Sequence, residues 1–181
     1  QQQNYLPGVP EGSDLCITPV SSPENHYVRI KADNRLEADG TLRGTFTLTA
    51  EGQSDSNIRR IFTTGFQSEW KSTMERQLLT ISPKARLLSV DYGKNPKDYQ
   101  AAPIKITFRY EIPDYALKGE GEMFFRPMVM NNLYNQVRSY LRIDTSVENR
   151  KYGFKDGCSR LVELDEMIQL PAGYKLVNAA K

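Results

Sequence analysis

The chain is poor in the side chains that carry chemistry. Its 181 residues include one histidine, two cysteines and one tryptophan. A zinc-type centre needs several Cys or His ligands at close spacing, and Cys16, His26 and Cys158 are scattered. Any serine or cysteine triad would have to use His26 as its base. No Gly-x-Ser-x-Gly elbow presents a serine nucleophile, and neither cysteine stands at a predicted helix start. A Cys16–Cys158 disulfide would require the fold to bring the two Cα atoms within about 7 Å; otherwise they are separate, partly buried thiols.

An excess of one charge is missing too. Lys and Arg total 24 against 22 Asp and Glu, a net charge of +2. That gives no electrostatic case for nucleic acid. No run approaches the roughly 20 apolar residues of a membrane span, so direct membrane insertion is not expected. Gly119-Glu120-Gly121 lacks the strand-to-helix setting of a phosphate loop, and no spaced set of oxygen ligands makes a calcium loop. No cofactor or metal is expected. Glu120 with Glu122, and Glu163, Asp165 with Glu166, are the carboxylate groupings. Each reads as a solvated strand face rather than a glycosidase pair. The absences thus leave no catalytic residue to name.

What is present is an architecture. A composition 39% hydrophobic and 25% charged is globular rather than disordered. Residues 1–24 carry Pro7, Pro10, Pro19 and Pro23, and read as an extended linker in which Leu15, Ile17 and Val20 could form a short edge strand. The start, Gln1-Gln2-Gln3-Asn4, has neither the basic nor the apolar region of a signal peptide. The missing initiator Met points to a piece of a longer protein.

Residues 25–128 read as an α+β core domain. Val28, Ile30 and Ala32 alternate with Arg29, Lys31 and Asp33; Leu42, Phe46, Leu48 and Ala50 alternate with Arg43, Thr45, Thr47 and Thr49. This is period two on both arms of a hairpin turning at Asp39-Gly40. Ile58, Ile61, Phe62, Phe66, Trp70, Met74 and Leu78 then recur at helical spacing, which predicts one helix over 56–80. Asp55 or Ser56 would cap it, and Arg59 falls on its polar face. Strands follow at Arg86–Tyr92, Ile104–Ile112 and Gly119–Phe125.

Residues 129–181 form a C-terminal extension that either completes this domain or leads into another. Leu133, Tyr134, Val137, Tyr140 and Leu141 have helical spacing, and Leu161–Leu170 reads as a strand before a turn at Pro171–Tyr174. The economical arrangement is one long helix laid across a curved antiparallel sheet. The ten tyrosines suggest a pocket or an interface. Tyr110, Arg109 and Arg126 would suit an anionic ligand on the concave sheet face, which makes a small-ligand or peptide-binding domain the second functional expectation.

The run Gln2–Gly12, with its Leu6-Pro7-Gly8-Val9-Pro10-Glu11-Gly12, resembles the exit from the papain-fold core of bacterial transglutaminase-like envelope proteins. Asn34-Arg35-Leu36, Ile58-Arg59-Arg60, Tyr110-Glu111-Ile112-Pro113-Asp114-Tyr115, Phe125-Arg126-Pro127, Arg150-Lys151-Tyr152 and Leu170-Pro171-Ala172-Gly173-Tyr174 are similar to the cystatin-like domain of unknown function that follows that core. The resemblance implies a cystatin-like fold and a non-catalytic accessory module. The family's catalytic Cys, His and Asp lie upstream, and no position here matches them. The implied partner is the upstream papain-like domain of the same chain, met by Tyr5, Leu6 and Val9. The implied location is the periplasm or cell surface, and the isolated piece is expected to be a monomer.

Overall fold

The computed structural model describes residues 3–101, 103–129, 149, 151 and 158–177. In chain order its elements are β1 (Asn4–Tyr5), β2 (Cys16–Ile17), β3 (Tyr27–Leu36), β4 (Leu42–Ala50), α1 (Gln53–Thr63), α2 (Trp70–Leu79), β5 (Arg86–Asp91), β6 (Ile104–Ile112), β7 (Leu117–Lys118), β8 (Met123–Phe124) and β9 (Leu161–Gln169). The predicted helical spacing at 133–141 lies outside the described residues.

The alternating runs become a five-stranded sheet in the order β5-β6-β4-β3-β9. Neighbours are antiparallel except β9, which runs parallel to β3, so the sheet is mixed rather than the antiparallel one expected. The even positions of β3, β4 and β6 point inward. Val28, Ile30, Ala32, Leu36, Leu42, Phe46, Ile106, Phe108 and Ile112 are all buried there. Each such large side chain contributes roughly 1.5–3 kcal/mol by leaving water. The hairpin turns at the expected place but with a longer loop. Asp39 accepts the Thr41 amide at 2.8 Å, and Gly40 takes φ 88°, a left-handed value that glycine adopts without strain.

The single predicted helix is in fact two, of 11 and 10 residues. Between them Phe66 is extended, at φ −75° and ψ 145°, and leads into a 3₁₀ turn at Gln67–Glu69. The hydroxyls of Thr63 and Thr64 both donate to the Arg60 carbonyl, at 3.2 and 2.8 Å, which competes with helix continuation. Gly65 follows, with a helix propensity about 1 kcal/mol worse than alanine. Phe66, expected on the apolar stripe, is therefore 76% exposed. The break lets each helix find its own seat: Phe62 of α1 and Trp70, Met74 and Leu78 of α2 are buried over the sheet. Phe62, Trp70 and Tyr92 meet edge to face, with centroids 5.1 to 5.7 Å apart.

Neither Asp55 nor Ser56 caps α1. The His26 imidazole does so: its Nδ1 accepts the Gln53 amide at 3.1 Å. Gly52 makes room, since a Cβ there would meet the Asn25 carbonyl at 2.1 Å. The predicted strand Gly119–Phe125 shrinks to β8, paired with β7 in a two-residue ribbon. The Gly and Glu residues before it form the turn instead.

β9 forms the sheet edge beyond β3. Its register is fixed on both faces. Outside, Arg29 pairs with Glu163, and Lys31 lies 3.9 Å from Asp165. Inside, the Asn34 amide donates to Glu166 at 2.8 Å. A slip of one residue would exchange these faces, so each contact opposes it.

Candidate functional site

Two places in the fold hold features of a site. The first is a cleft between α1, α2 and the sheet. Phe46, Leu48, Ile106 and Phe108 make its floor; Ile58 and Phe62 of α1 and Met74 and Leu78 of α2 make its walls. It has a volume of about 190 Å³, and among the described residues Gln77 is its only polar lining residue. Both of the helices that the break produces line this cleft. Its volume is below the roughly 300 Å³ of typical drug-sized sites, but above the 150 Å³ of an apolar cavity that takes up benzene. Water entering it would find few partners. A single aromatic ring or a short hydrocarbon group suits it chemically.

The second is a polar chain buried at the other end of the inner face. Tyr110 is fully buried, and its hydroxyl donates to Asn34 Oδ1. The Asn34 amide donates to Glu166, whose two carboxylate oxygens also accept the Met128 and Val129 amides at 3.1 and 2.8 Å. Burial pushes the Tyr110 phenol far above its ordinary range, with the nearby Glu166 charge adding to the effect and the Asn34 bond opposing it. Tyr115 is raised as well, by burial and then by Glu166, and donates to the Arg126 carbonyl at 2.6 Å. The chain is closed on itself: each polar group is satisfied from within, which is the pattern of a specificity-giving core network.

The expected ligand face is not assembled. Tyr110 points into the core while Arg109, its neighbour on β6, points to the opposite face, as period two requires. Arg126 stands on exposed chain after β8. The helix-facing side of the sheet is covered by Phe62, Trp70, Met74 and Leu78, apart from the apolar cleft over Phe46, Leu48, Ile106 and Phe108. Of the other tyrosines, Tyr92 packs in the aromatic cluster and Tyr99 is exposed; 134, 140 and 152 lie outside the described residues. Tyr5, Leu6 and Val9 are exposed on the N-terminal ribbon.

The reactive candidates are dispersed in the same way. Cys16 and Cys158 are both partly buried. They bond the carbonyls of Asp14, at 3.6 Å, and Ser159, at 3.2 Å. The Nδ1 lone pair of His26 is committed to the α1 amide. Glu120 and Glu122 lie in the exposed β7–β8 turn, and Glu166 faces inward, away from Glu163 and Asp165. Among the described residues no group of His, Cys, Asp and Glu could hold a metal ion, and no helix is long and apolar enough to cross a membrane.

Sequence reasoning missed Arg59, Asn34 and Glu166. Arg59 is 2% exposed, not on the polar face. It pairs with Asp55 at 2.6 Å and donates to the Pro96 and Asp98 carbonyls at 3.1 and 2.8 Å. The i,i+4 spacing of Asp55 and Arg59 was the available signal. For Glu166 the signal was its even position among Val162, Leu164 and Ile168, all inward.

Comparisons with family models, with curated proteins and with solved structures return no match.

Proposed function

We propose that this chain is a non-catalytic accessory module of a transglutaminase-like envelope protein, docked on the papain-like core of the same chain. The observation that supports this reading is the N-terminal ribbon. β1 and β2 pair Asn4 with Ile17 and Tyr5 with Cys16, and the Thr18 amide donates to the Gln3 carbonyl at 2.8 Å. The ribbon presents Tyr5, Leu6, Val9, Leu15, Ile17 and Val20 to solvent, each at least 40% exposed. Exposed apolar side chains gathered on one short ribbon suit an interaction site. In this reading the fold is cystatin-like, with α1 and α2 together in the place of its one helix. The module needs no cofactor, and it works in the periplasm or at the cell surface. The test is a pull-down of the separately expressed papain-like core with this chain, with turnover assayed alone and together. Binding with altered turnover supports the reading; turnover by this chain alone, or no association at micromolar concentration, rejects it.

The apolar cleft favours a second reading, a domain that binds a small apolar ligand. Titration with benzene or indole, followed by a thermal shift, tests it. A saturable rise in Tm that Leu48→Phe abolishes supports the ligand reading, and no rise rejects it.

A further inference from the structure

The outer face of the sheet, turned away from both helices, gathers arginine at one end. The strand register places Arg35 of β3 directly opposite Arg43 of β4, Arg43 opposite Glu111 of β6, and Glu111 opposite Arg86 of β5. In the next row Asp33, Thr45, Arg109 and Ser89 follow one another across the same strands. Like charges set directly opposite on neighbouring strands are destabilising, so the Arg35–Arg43 pair stands against the sheet's own stability. The carboxylates nearby do not balance it. Glu37 approaches Arg35 at 3.5 Å, and Glu111 alone serves both Arg43 at 3.3 Å and Arg86 at 3.1 Å. Asp33 faces the same surface from β3 without an ion pair among the described residues. That is four arginines against three carboxylates. Arg109, exposed and diagonal to Arg43, has no hydrogen bond or ion pair among the described residues.

Part of this cluster lines a depression of about 350 Å³, whose lining includes Asp33, Arg35, Arg43, Thr45, Arg109 and Gln169. That volume falls within the range of small-ligand sites. The β-bulge between Leu87 and Ser89 closes one side by turning Leu88 onto the rim. The guanidinium fork matches carboxylate and phosphate oxygens in pairs, and the Thr45 hydroxyl and Gln169 amide add neutral donors.

We propose that this depression binds a compact oxyanion carrying two or more acidic groups, with Arg35, Arg43 and Arg109 as its ligands. The anion would bridge the opposed Arg35 and Arg43 and supply the partner Arg109 lacks. The Asp33 carboxylate selects against ligands that fill the depression with charge on every side. The site is independent of the N-terminal ribbon and of the apolar cleft.

The test is calorimetric titration of the whole chain at low salt with citrate and, in a second arm, with pyrophosphate; acetate serves as the monovalent reference. Saturable binding of citrate or pyrophosphate, tighter than acetate, is expected, and the tighter of the two identifies a carboxylate or a phosphate source. Arg109→Gln removes a side chain with no internal partner and should weaken binding about tenfold, the loss of one charge-assisted contact. Lys105→Gln, on the same face but four residues along β6 from Arg109, should change affinity less than about twofold, as a rim charge does. Thermal unfolding of both variants confirms that they remain folded. Absence of saturable binding in both arms overturns the proposal. An equal loss in Arg109→Gln and Lys105→Gln also overturns it, because diffuse surface charge would then be the cause.

Discussion

Arg59 is paired with Asp55 one helical turn earlier, Nε to Oδ2 at 2.6 Å, and both are withdrawn from solvent beneath the loop before β6. The pair works as a clamp in two directions. The Arg59 guanidinium takes the loop carbonyls, and the second Asp55 oxygen accepts the Ile104 amide at 2.7 Å, at the start of β6. One ion pair therefore ties α1, a loop and a central strand.

Removing half of this clamp leaves a charge buried without its partner. Arg59→Ala is expected to destabilise the chain by about 3–5 kcal/mol. Arg59→Lys should recover little, because an ammonium cannot reproduce the guanidinium's planar set of donors. Urea unfolding of the two variants checks this. A loss below about 1 kcal/mol would mean that the pair behaves like an exposed surface bridge.

Tyr110 gives a pH dependence whose sign is fixed by burial. Its folded phenol titrates far above the ordinary value of about 10, chiefly because the core disfavours the charged form. The unfolded chain therefore releases this proton first. The stabilisation is complete below about pH 10 and declines as the pH rises from there toward the folded value. Tyr110→Phe is expected to cost about 1–3 kcal/mol at neutral pH, by leaving Asn34 short of a donor, and to flatten the alkaline fall in stability. Tyr115, raised for the same first reason, contributes its own share, so Tyr115→Phe should flatten the fall separately. Urea midpoints measured from pH 8 to 11 test both; an unchanged alkaline slope in Tyr110→Phe rejects the assignment.

Gly44 lies under the Asn34 side chain. A Cβ at this position would sit 2.0 Å from Asn34 Oδ1 and 2.5 Å from the Asp33 carbonyl. The side chain can move, but the carbonyl belongs to the ladder. Gly44→Ala is expected to cost about 1–3 kcal/mol through strain. Combining it with Asn34→Ala should recover less than half, because the backbone clash persists. Full recovery in a double-mutant cycle would place the whole conflict on Asn34.

The parts of this fold that were legible in sequence are those where one local rule decides. Val28 to Ala32 and Leu42 to Ala50 alternate cleanly, and the β3–β4 hairpin follows. The helix break was hidden because Phe66 continues an apolar spacing that Gly65 and two threonine hydroxyls interrupt; periodicity does not register that competition. Arg59 was misplaced because charge is read as outward, and only the distant loop carbonyls explain its burial. The polar chain Tyr110–Asn34–Glu166 joins residues 132 apart in its Asn34–Glu166 link, and the β3–β9 pairing that creates it is not a local property. Arg109 and Tyr110 were grouped by nearness in sequence, yet adjacent residues in a strand face opposite ways.

The N-terminal ribbon separates an interaction role from a stability role. Leu6 and Ile17 are 67% and 64% exposed, so polar replacement removes little buried area. Leu6→Ser with Ile17→Ser is expected to leave the unfolding free energy within about 0.5 kcal/mol. If these side chains are the anchors of a docked interface, the same pair should weaken capture of the papain-like core at least about tenfold, because apolar anchors carry most of the energy at such contacts. Denaturation and pull-down on one preparation give the two readings together. Unchanged stability with lost capture assigns the ribbon to docking. Lost stability with retained capture would show that the ribbon serves its own domain, and the docking surface would then have to be sought elsewhere.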